Sequence, residues 1–204
     1  MKKKALLILN GKLENREMIQ KIGNSSDLII ATDGAYDKII KFNFTPNIVI
    51  GDLDSIKKMP TDVKIIEVED QNKSDFEKAI EWLIINEYSE VSIVGITGGR
   101  LDHLLINFAI VYKYLDKINL TIYSNSEKLI FLQSGHYSIY GENGDLFSII
   151  ALPQVEDLEI ENAKYSVNEK VFSIGSRGLS NEFISDEIKI SFSSGILVFI
   201  QSNK

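Results

Sequence analysis

Residues 74–96 read SDFEKAIEWLIINEYSEVSIVGI, and this stretch decides the fold. Phe76, Ala79, Ile80, Leu83 and Ile84 fall at i, i+3, i+4, i+7 and i+8, one helical stripe. The spacing predicts a helix over Asp75–Asn86, opened by a capping box in which Ser74 is the N-cap and Glu77 stands three residues on. Val91–Ile96 then reads as a short Ile/Val-rich strand. A helix that feeds an apolar strand is half of a βαβ unit.

The same alternation extends in both directions. Ala5–Leu9, Leu28–Thr32, Ile48–Ile50, Lys64–Val68 and Leu120–Tyr123 read as strands, and Ala35–Phe42 and Asp102–Leu115 as helices. Strands apolar on both faces suit a parallel sheet covered by helices on both sides. After Tyr123 the pattern changes. Short runs at Lys128–Gln133, Tyr137–Tyr140, Leu146–Ala151, Leu158–Glu161, Lys170–Ile174, Ile188–Phe192 and Ile196–Ile200 alternate with turn residues. Asn143-Gly144 and Ser193-Ser194-Gly195 read as hairpin turns. The expectation is an α/β N-terminal domain with a mostly parallel sheet over residues 1–123, plus an all-β C-terminal sandwich domain over 124–204.

Composition narrows the function. The 204 residues are 44% hydrophobic, ordinary for a globular chain with a real core. A formal charge of −7 argues against a nucleic-acid partner, which would need a basic face. The absence of cysteine excludes disulfides, thiolate chemistry and cysteine-ligated zinc or iron–sulfur sites. The opening Met-Lys-Lys-Lys segment is followed by an apolar run of only Ala5–Leu9, shorter than a signal h-region, and reads as a first strand. With no stretch of transmembrane length, the expectation is a cytoplasmic protein.

The acids then stand out by position. Asp33, Asp52, Asp54 and Asp75 follow strand-like runs, and Asp102 follows a diglycine turn. In an open α/β sheet the carboxyl ends of the strands are the edge where ligands bind. Acidic turns converging there make a hard-cation site, because Mg²⁺ takes oxygen ligands and comes with substrate phosphates. Gly51-Asp52-Leu53-Asp54-Ser55 places two carboxylates where they can share a cation, and an Asx turn would use the same acids to hold its own backbone. Ser74 and Asp75 suit a helix start whatever the function. Thr97-Gly98-Gly99-Arg100-Leu101-Asp102-His103 combines a helix start with a guanidinium fork, both suited to phosphate oxygens. An exposed arginine on a plain turn is the other reading of that segment. His103 reads as a capping or packed residue and Trp82 as packing.

At these motifs the chain resembles the thiamine pyrophosphokinase (thiamin diphosphokinase) family. The residues that carry the resemblance are Asp33-Gly34-Ala35, Gly51-Asp52-Leu53-Asp54-Ser55, Asn72-Lys73-Ser74-Asp75, Gly98-Gly99-Arg100-Leu101-Asp102-His103 with Asn107, and Gly178-Leu179-Ser180-Asn181-Glu182. The resemblance implies Mg-dependent transfer of a pyrophosphoryl group from ATP to the thiamine hydroxyl, giving thiamine diphosphate and AMP. It also implies a homodimer with active sites between subunits, a nucleotide-binding N-terminal domain and a C-terminal domain for thiamine binding and dimerisation. By the same resemblance, Asp52, Asp54, Asp75 and Asp102 are the Mg²⁺ and phosphate-site acids; the guanidinium of Arg100 is expected to add positive charge on the transferred group. Asp33, Gln71, Ser74, Thr97 and Arg100 fall where the family contacts nucleotide, and Ser180 and Asn181 where it contacts thiamine. Asn72 and Ser74 replace the commoner Asp and Thr, and Ile196-Leu197-Val198-Phe199 stands where some members carry a stacking tryptophan.

Three other readings stay open at this level. One is a related pyrophosphokinase acting on another alcohol, such as a pterin. A second is a haloacid-dehalogenase-like phosphatase built on Asp52-Leu53-Asp54-Ser55-Ile56, and a third a nucleotide or thiamine sensor without turnover.

Overall fold

Alternating strands and helices do form the first part of the chain. The computed structural model describes residues 2–56 and 61–202. In chain order the first unit contains β1 (Lys3–Ile8), α1 (Arg16–Asn24), β2 (Leu28–Thr32), α2 (Asp33–Ile40), β3 (Ile48–Gly51), β4 (Lys64–Glu67), α3 (Asp75–Ile85), β5 (Tyr88–Val94), α4 (Leu101–Tyr114) and β6 (Asn119–Tyr123). The chain divides into two compact units, Met1–Asn125 and Ser126–Lys204.

Within the first unit all strand pairs are parallel, in the order β6-β5-β1-β2-β3-β4. The chain steps outward from β1 to β4 and then returns to lay β5 on the other side of β1. The strand order therefore reverses between β1 and β5, which opens a crevice at their carboxyl ends. Both faces of the sheet are covered. Leu6 and Ile8 of β1 pack with Ile19 of α1 and Ala35 and Ile39 of α2, while Ala5 and Leu7, pointing the opposite way, are equally buried. Helix α3 packs on β2, β3 and β5 through Phe76, Ala79, Ile80 and Leu83.

Two local details differ from the expectation. Helix α1 carries no strong sequence signal, yet Asn15 caps it by accepting from the Met18 N–H at 2.9 Å, and Ile19 turns inward. Only half of the capping box at α3 forms. Ser74 Oγ accepts from the Glu77 N–H at 3.3 Å, but the Glu77 carboxylate accepts from Lys113 Nζ and Tyr114 Oη of α4 at 2.7 and 3.1 Å. Tertiary contact with α4 has taken the acid from its local partner.

The second unit contains β7 (Glu127–Tyr140), β8 (Leu146–Glu161), β9 (Val167–Ser173), β10 (Asn181–Glu182) and β11 (Glu187–Ser202). Its antiparallel order is β10-β8-β11-β7, with β9 also on β8. The seven short runs of the sequence are thus fewer and longer strands. Asn143-Gly144 makes a tight turn, with the Asp145 N–H donating to the Glu142 carbonyl at 2.9 Å, yet it joins β7 to β8 with β11 lying between them. It is not a hairpin. Ser193-Ser194-Gly195 is not a hairpin either, but an irregularity inside β11, where the register shifts against both neighbours. Gly195 has φ 93°, and a Cβ there would lie 2.2 Å from the Gln154 carbonyl oxygen.

These breaks bend the long strands. A straight β11 would separate Glu187 from Gln201 by roughly 46 Å. Instead, Tyr140 pairs with Glu187 while its carbonyl accepts from Gln201 Nε2 at 3.3 Å. Strand β11 therefore bends along its length, bringing both ends near Tyr140. Phe147, Ile149, Leu197 and Phe199 of one half share a core with Leu158, Ile160, Phe172 and Ile190 of the other. Phe147 anchors it, edge-on to Phe183 at 5.3 Å and stacked on Phe199 at 5.2 Å.

Candidate active site

The turns that follow β2 and β3 and the turn that opens α3 bring three carboxylates together. Thr32 ends β2 and Asp33 begins α2, so Asp33 stands at the carboxyl edge of the sheet, 3% exposed. Asp52 follows Gly51, the last residue of β3, and Asp75 is the first residue of α3 after its Ser74 cap. One carboxylate oxygen from each of Asp33, Asp52 and Asp75 lies within 4.8 Å of the others. Gly51 makes this possible. A Cβ at that position would sit 2.8 Å from Asp33 Cγ and force the carboxylate aside.

The electrostatics of the trio are uneven. Burial first, and then the Asp75 charge, push Asp33 up to about 6, against the hydrogen bond its Oδ1 accepts from the Gly34 N–H. Its Oδ2 is buried with no hydrogen-bond partner among the described residues. Burial works the same way on Asp52, but the Asp54 N–H and the charge of Lys78 outweigh it and hold that acid below its ordinary value. A buried acceptor left without a donor, between two more carboxylates, is costly unless a cation or a donor completes it.

Lys78 is a residue of the cleft that sequence reading did not single out. It stands one helical turn after Asp75, with its side chain 3% exposed, and its Nζ donates to Asp75 Oδ1 at 3.1 Å. The i, i+3 spacing on a capped helix was the available signal. With Asp33, Asp52, Gln71, Ser74 and Asp75 it lines a cavity of about 320 Å³. A second cavity of about 310 Å³ lies at the β1/β5 crevice, walled by Gly11, Gly95, Gly99 and Arg100. Leu9, Asn10, His103 and Asn107 border both, so the two form one continuous cleft. A groove of about 280 Å³ in the second unit has exposed charged walls, His136, Glu159, Glu161 and Lys189, and no buried polar group turned into it.

The remaining sequence-derived candidates lie outside the trio. Asp54 is exposed and accepts from Ser55 Oγ at 2.9 Å. Arg100 and Asp102 hold each other in a two-pronged pair, Nε to Oδ1 at 3.1 Å and Nη2 to Oδ2 at 2.5 Å, both exposed at the start of α4. Thr97 contributes its carbonyl to the Lys12 N–H at 2.6 Å. In the second unit Ser180 is exposed with φ 57°. Asn181 is 6% exposed: its Oδ1 accepts from the Tyr165 and Glu182 N–H groups, and its Nδ2 donates to the Tyr165 carbonyl.

A parallel sheet with carboxylates gathered at its carboxyl edge, beside a glycine-walled crevice at the strand reversal, is the arrangement in which α/β proteins bind phosphate-bearing ligands. The comparisons with known proteins are more specific. The family description "Thiamin pyrophosphokinase, catalytic domain" matches residues 19–123, and "Thiamin pyrophosphokinase, vitamin B1 binding domain" matches 136–197. The thiamine pyrophosphokinase of Bacillus subtilis is 28% identical over 187 residues, covering 86% of this chain and 87% of its own. A crystal structure of thiamine pyrophosphokinase from Bacillus subtilis superposes with a TM-score of 0.85 at 25% identity, covering 99% of this chain and 100% of that one. Thiamin pyrophosphokinase from Geobacillus thermodenitrificans gives 0.82 at 25% identity, covering 98% of each chain. The chain belongs to the thiamin pyrophosphokinase family, and its activity is that of a thiamine diphosphokinase. Among the described residues no helix is long and apolar enough to cross a membrane.

Proposed function

We propose that the chain transfers the pyrophosphoryl group of ATP to the hydroxyl of thiamine, releasing AMP, with Mg²⁺ held at the acidic cleft. The observation that carries the site assignment is the convergence of Asp33, Asp52 and Asp75 around the unpartnered Asp33 Oδ2. All-oxygen donors with a buried acceptor left open fit a hard divalent cation. Asp33, Asp52 and Asp75 would hold it. Asp54, two residues from Asp52, and Asp102 on α4 would serve the phosphate side or a second ion. When bound, Mg²⁺ supplies charge neutralisation for the phosphate oxygens.

The chain's own part is orientation. The thiamine oxygen forms a bond to the β-phosphorus, the bond from that phosphorus to the α,β-bridging oxygen breaks, and the hydroxyl proton goes to a carboxylate of the site. Positioning and electrostatics dominate such a transfer. The glycine walls of the β1/β5 crevice let a nucleotide approach the backbone closely, Gln71 and Ser74 line the adjoining cavity, and Thr97 follows Ile96 of the crevice wall in sequence. Arg100, on release from Asp102, offers its fork to phosphate oxygens. In the vitamin-binding unit Ser180 is the group available to thiamine, whereas the Asn181 side chain shapes the turn around it. ATP as donor fits a cytoplasmic setting.

We also propose a homodimer with sites at the subunit interface. Helix α4 leaves Leu101, Leu105, Ile106 and Tyr112 more than half exposed, and this apolar stripe starts at the end of the helix that carries Asp102 and His103. A second copy seated there would border the cleft. Incubation with ATP, Mg²⁺ and a panel of alcohols, including thiamine and a hydroxymethyl pterin, tests the chemistry. AMP and thiamine diphosphate are the expected products. ADP or inorganic phosphate as the principal product overturns the reading.

A further inference from the structure

Lys78 is an ammonium placed where it has little reason to be for packing alone. Its side chain is 3% exposed, and a buried charge is costly unless it is paired. Among the described residues Asp75 Oδ1 is its one hydrogen-bond acceptor, at 3.1 Å, although an ammonium carries three donors. The other two donors belong to a group that lines the same cavity as Asp33 and Asp52. Its charge also reaches Asp52, helping to hold that carboxylate ionised. Three carboxylates thus share the cavity with the Lys78 ammonium, while Lys73, which also lines it, is held by Glu81 and Asp70. A divalent cation on the trio would compete with Lys78 for Asp75, and phosphate oxygens would offer the displaced ammonium new acceptors in the same space.

Building on the activity proposed above, we propose that Lys78 is an exchange residue. In the ligand-free protein it holds Asp75 and balances the acidic trio. When the metal–triphosphate enters, its ammonium passes from Asp75 to a phosphate oxygen and leaves the carboxylate to the cation. Lys78 is then a positioning residue before binding and a phosphate contact after it. No covalent bond changes in the exchange; one charge-assisted hydrogen bond replaces another.

The proposal demands effects of opposite sign from one substitution. Lys78→Met keeps the length of the side chain and removes its charge. Mn²⁺ binding to nucleotide-free protein, followed by the electron paramagnetic resonance signal of the free ion, should tighten about tenfold, because a unit positive charge a few ångströms away no longer opposes it. Turnover of ATP and thiamine should fall on the order of 10²-fold, with KM for ATP raised. Lys78→Arg should leave Mn²⁺ affinity near that of the native protein. Lys78→Gln serves as the neutral variant if the Met protein does not fold, as judged by circular dichroism. Unchanged or weaker Mn²⁺ binding in a folded neutral variant overturns the proposal, as does failure of the native protein to bind Mn²⁺. Mn²⁺ binding is read without substrate, so it stands apart from the activity assay: a native protein that binds Mn²⁺ but forms no AMP refutes the proposed reaction and leaves the ammonium–cation competition to be read directly.

Discussion

Replacing Asp33 by asparagine should stabilise the metal-free protein while destroying its activity, and the stabilisation should depend on pH. The Asp33 carboxyl titrates near 3.8 when unfolded and is pushed up to about 6 in the fold, by burial first and by the Asp75 charge second. Two units correspond to roughly 3 kcal/mol. Between those values the folded state binds the extra proton, so native stability falls as pH rises from about 4 to about 6, and the full cost is present above 6. Asparagine carries no charge and escapes this cost. Its Oδ1 can still accept from the Gly34 N–H, and its Nδ2 would take the place of the partnerless Oδ2, a donor facing two carboxylates. In thermal unfolding with chelator the variant should match the native protein near pH 4 and exceed it at pH 7.5 by about 5–10 °C, the equivalent of roughly 2–3 kcal/mol. Saturating Mg²⁺ should then raise the native melting temperature more than that of the variant, because only the native protein offers all three oxygens. A melting difference that stays flat from pH 4 to 7.5, or an equal response of both proteins to Mg²⁺, would refute the reasoning.

Other substitutions separate the acids and the two units. Asp52→Asn should abolish both Mn²⁺ binding and turnover, whereas Asp54→Asn, outside the trio, should leave Mn²⁺ binding by the ligand-free protein nearly intact and lower kcat on the order of 10²-fold. Equal Mn²⁺ affinities in the two variants would contradict the separation. Arg100→Lys should raise KM for ATP with no change in melting temperature, because the two-pronged grip is lost at an exposed pair; matching kinetics would leave Arg100 a surface cation. Asn181→Ala should destabilise the second unit by about 2–3 kcal/mol, since the Tyr165 N–H and carbonyl lose their partner. Ser180→Ala should instead raise KM for thiamine without affecting stability, and urea unfolding of both variants beside their kinetics checks the contrast.

Much of the first unit was readable along the chain because its signals are local. The stripe Phe76, Ala79, Ile80, Leu83 and the Ser74 cap sit within one helix, and strand edges such as Leu28–Thr32 are bounded by the residues that turn the chain. The positions of Asp33, Asp52 and Asp75 at the ends of strands or the start of a helix were legible for the same reason. Which acids meet was not. Asp33 and Asp75 are far apart in sequence and converge only because β2 and β3 are neighbours with α3 packed across them, while Asp54, adjacent in sequence to the trio, turns outward to Ser55. Lys78 and Glu77 illustrate the same limit: local spacing names a partner, and tertiary packing selects Asp75 for one and α4 for the other. In the second unit both turn-like segments were read as hairpins, and the structure makes neither one a hairpin. A glycine or serine pair marks backbone freedom, and whether the chain reverses there or continues bent depends on which strand lies alongside. For Asn143-Gly144 and Ser193-Ser194-Gly195 that neighbour comes from elsewhere in the sequence, β11 and β8, so only the assembled sheet could decide it.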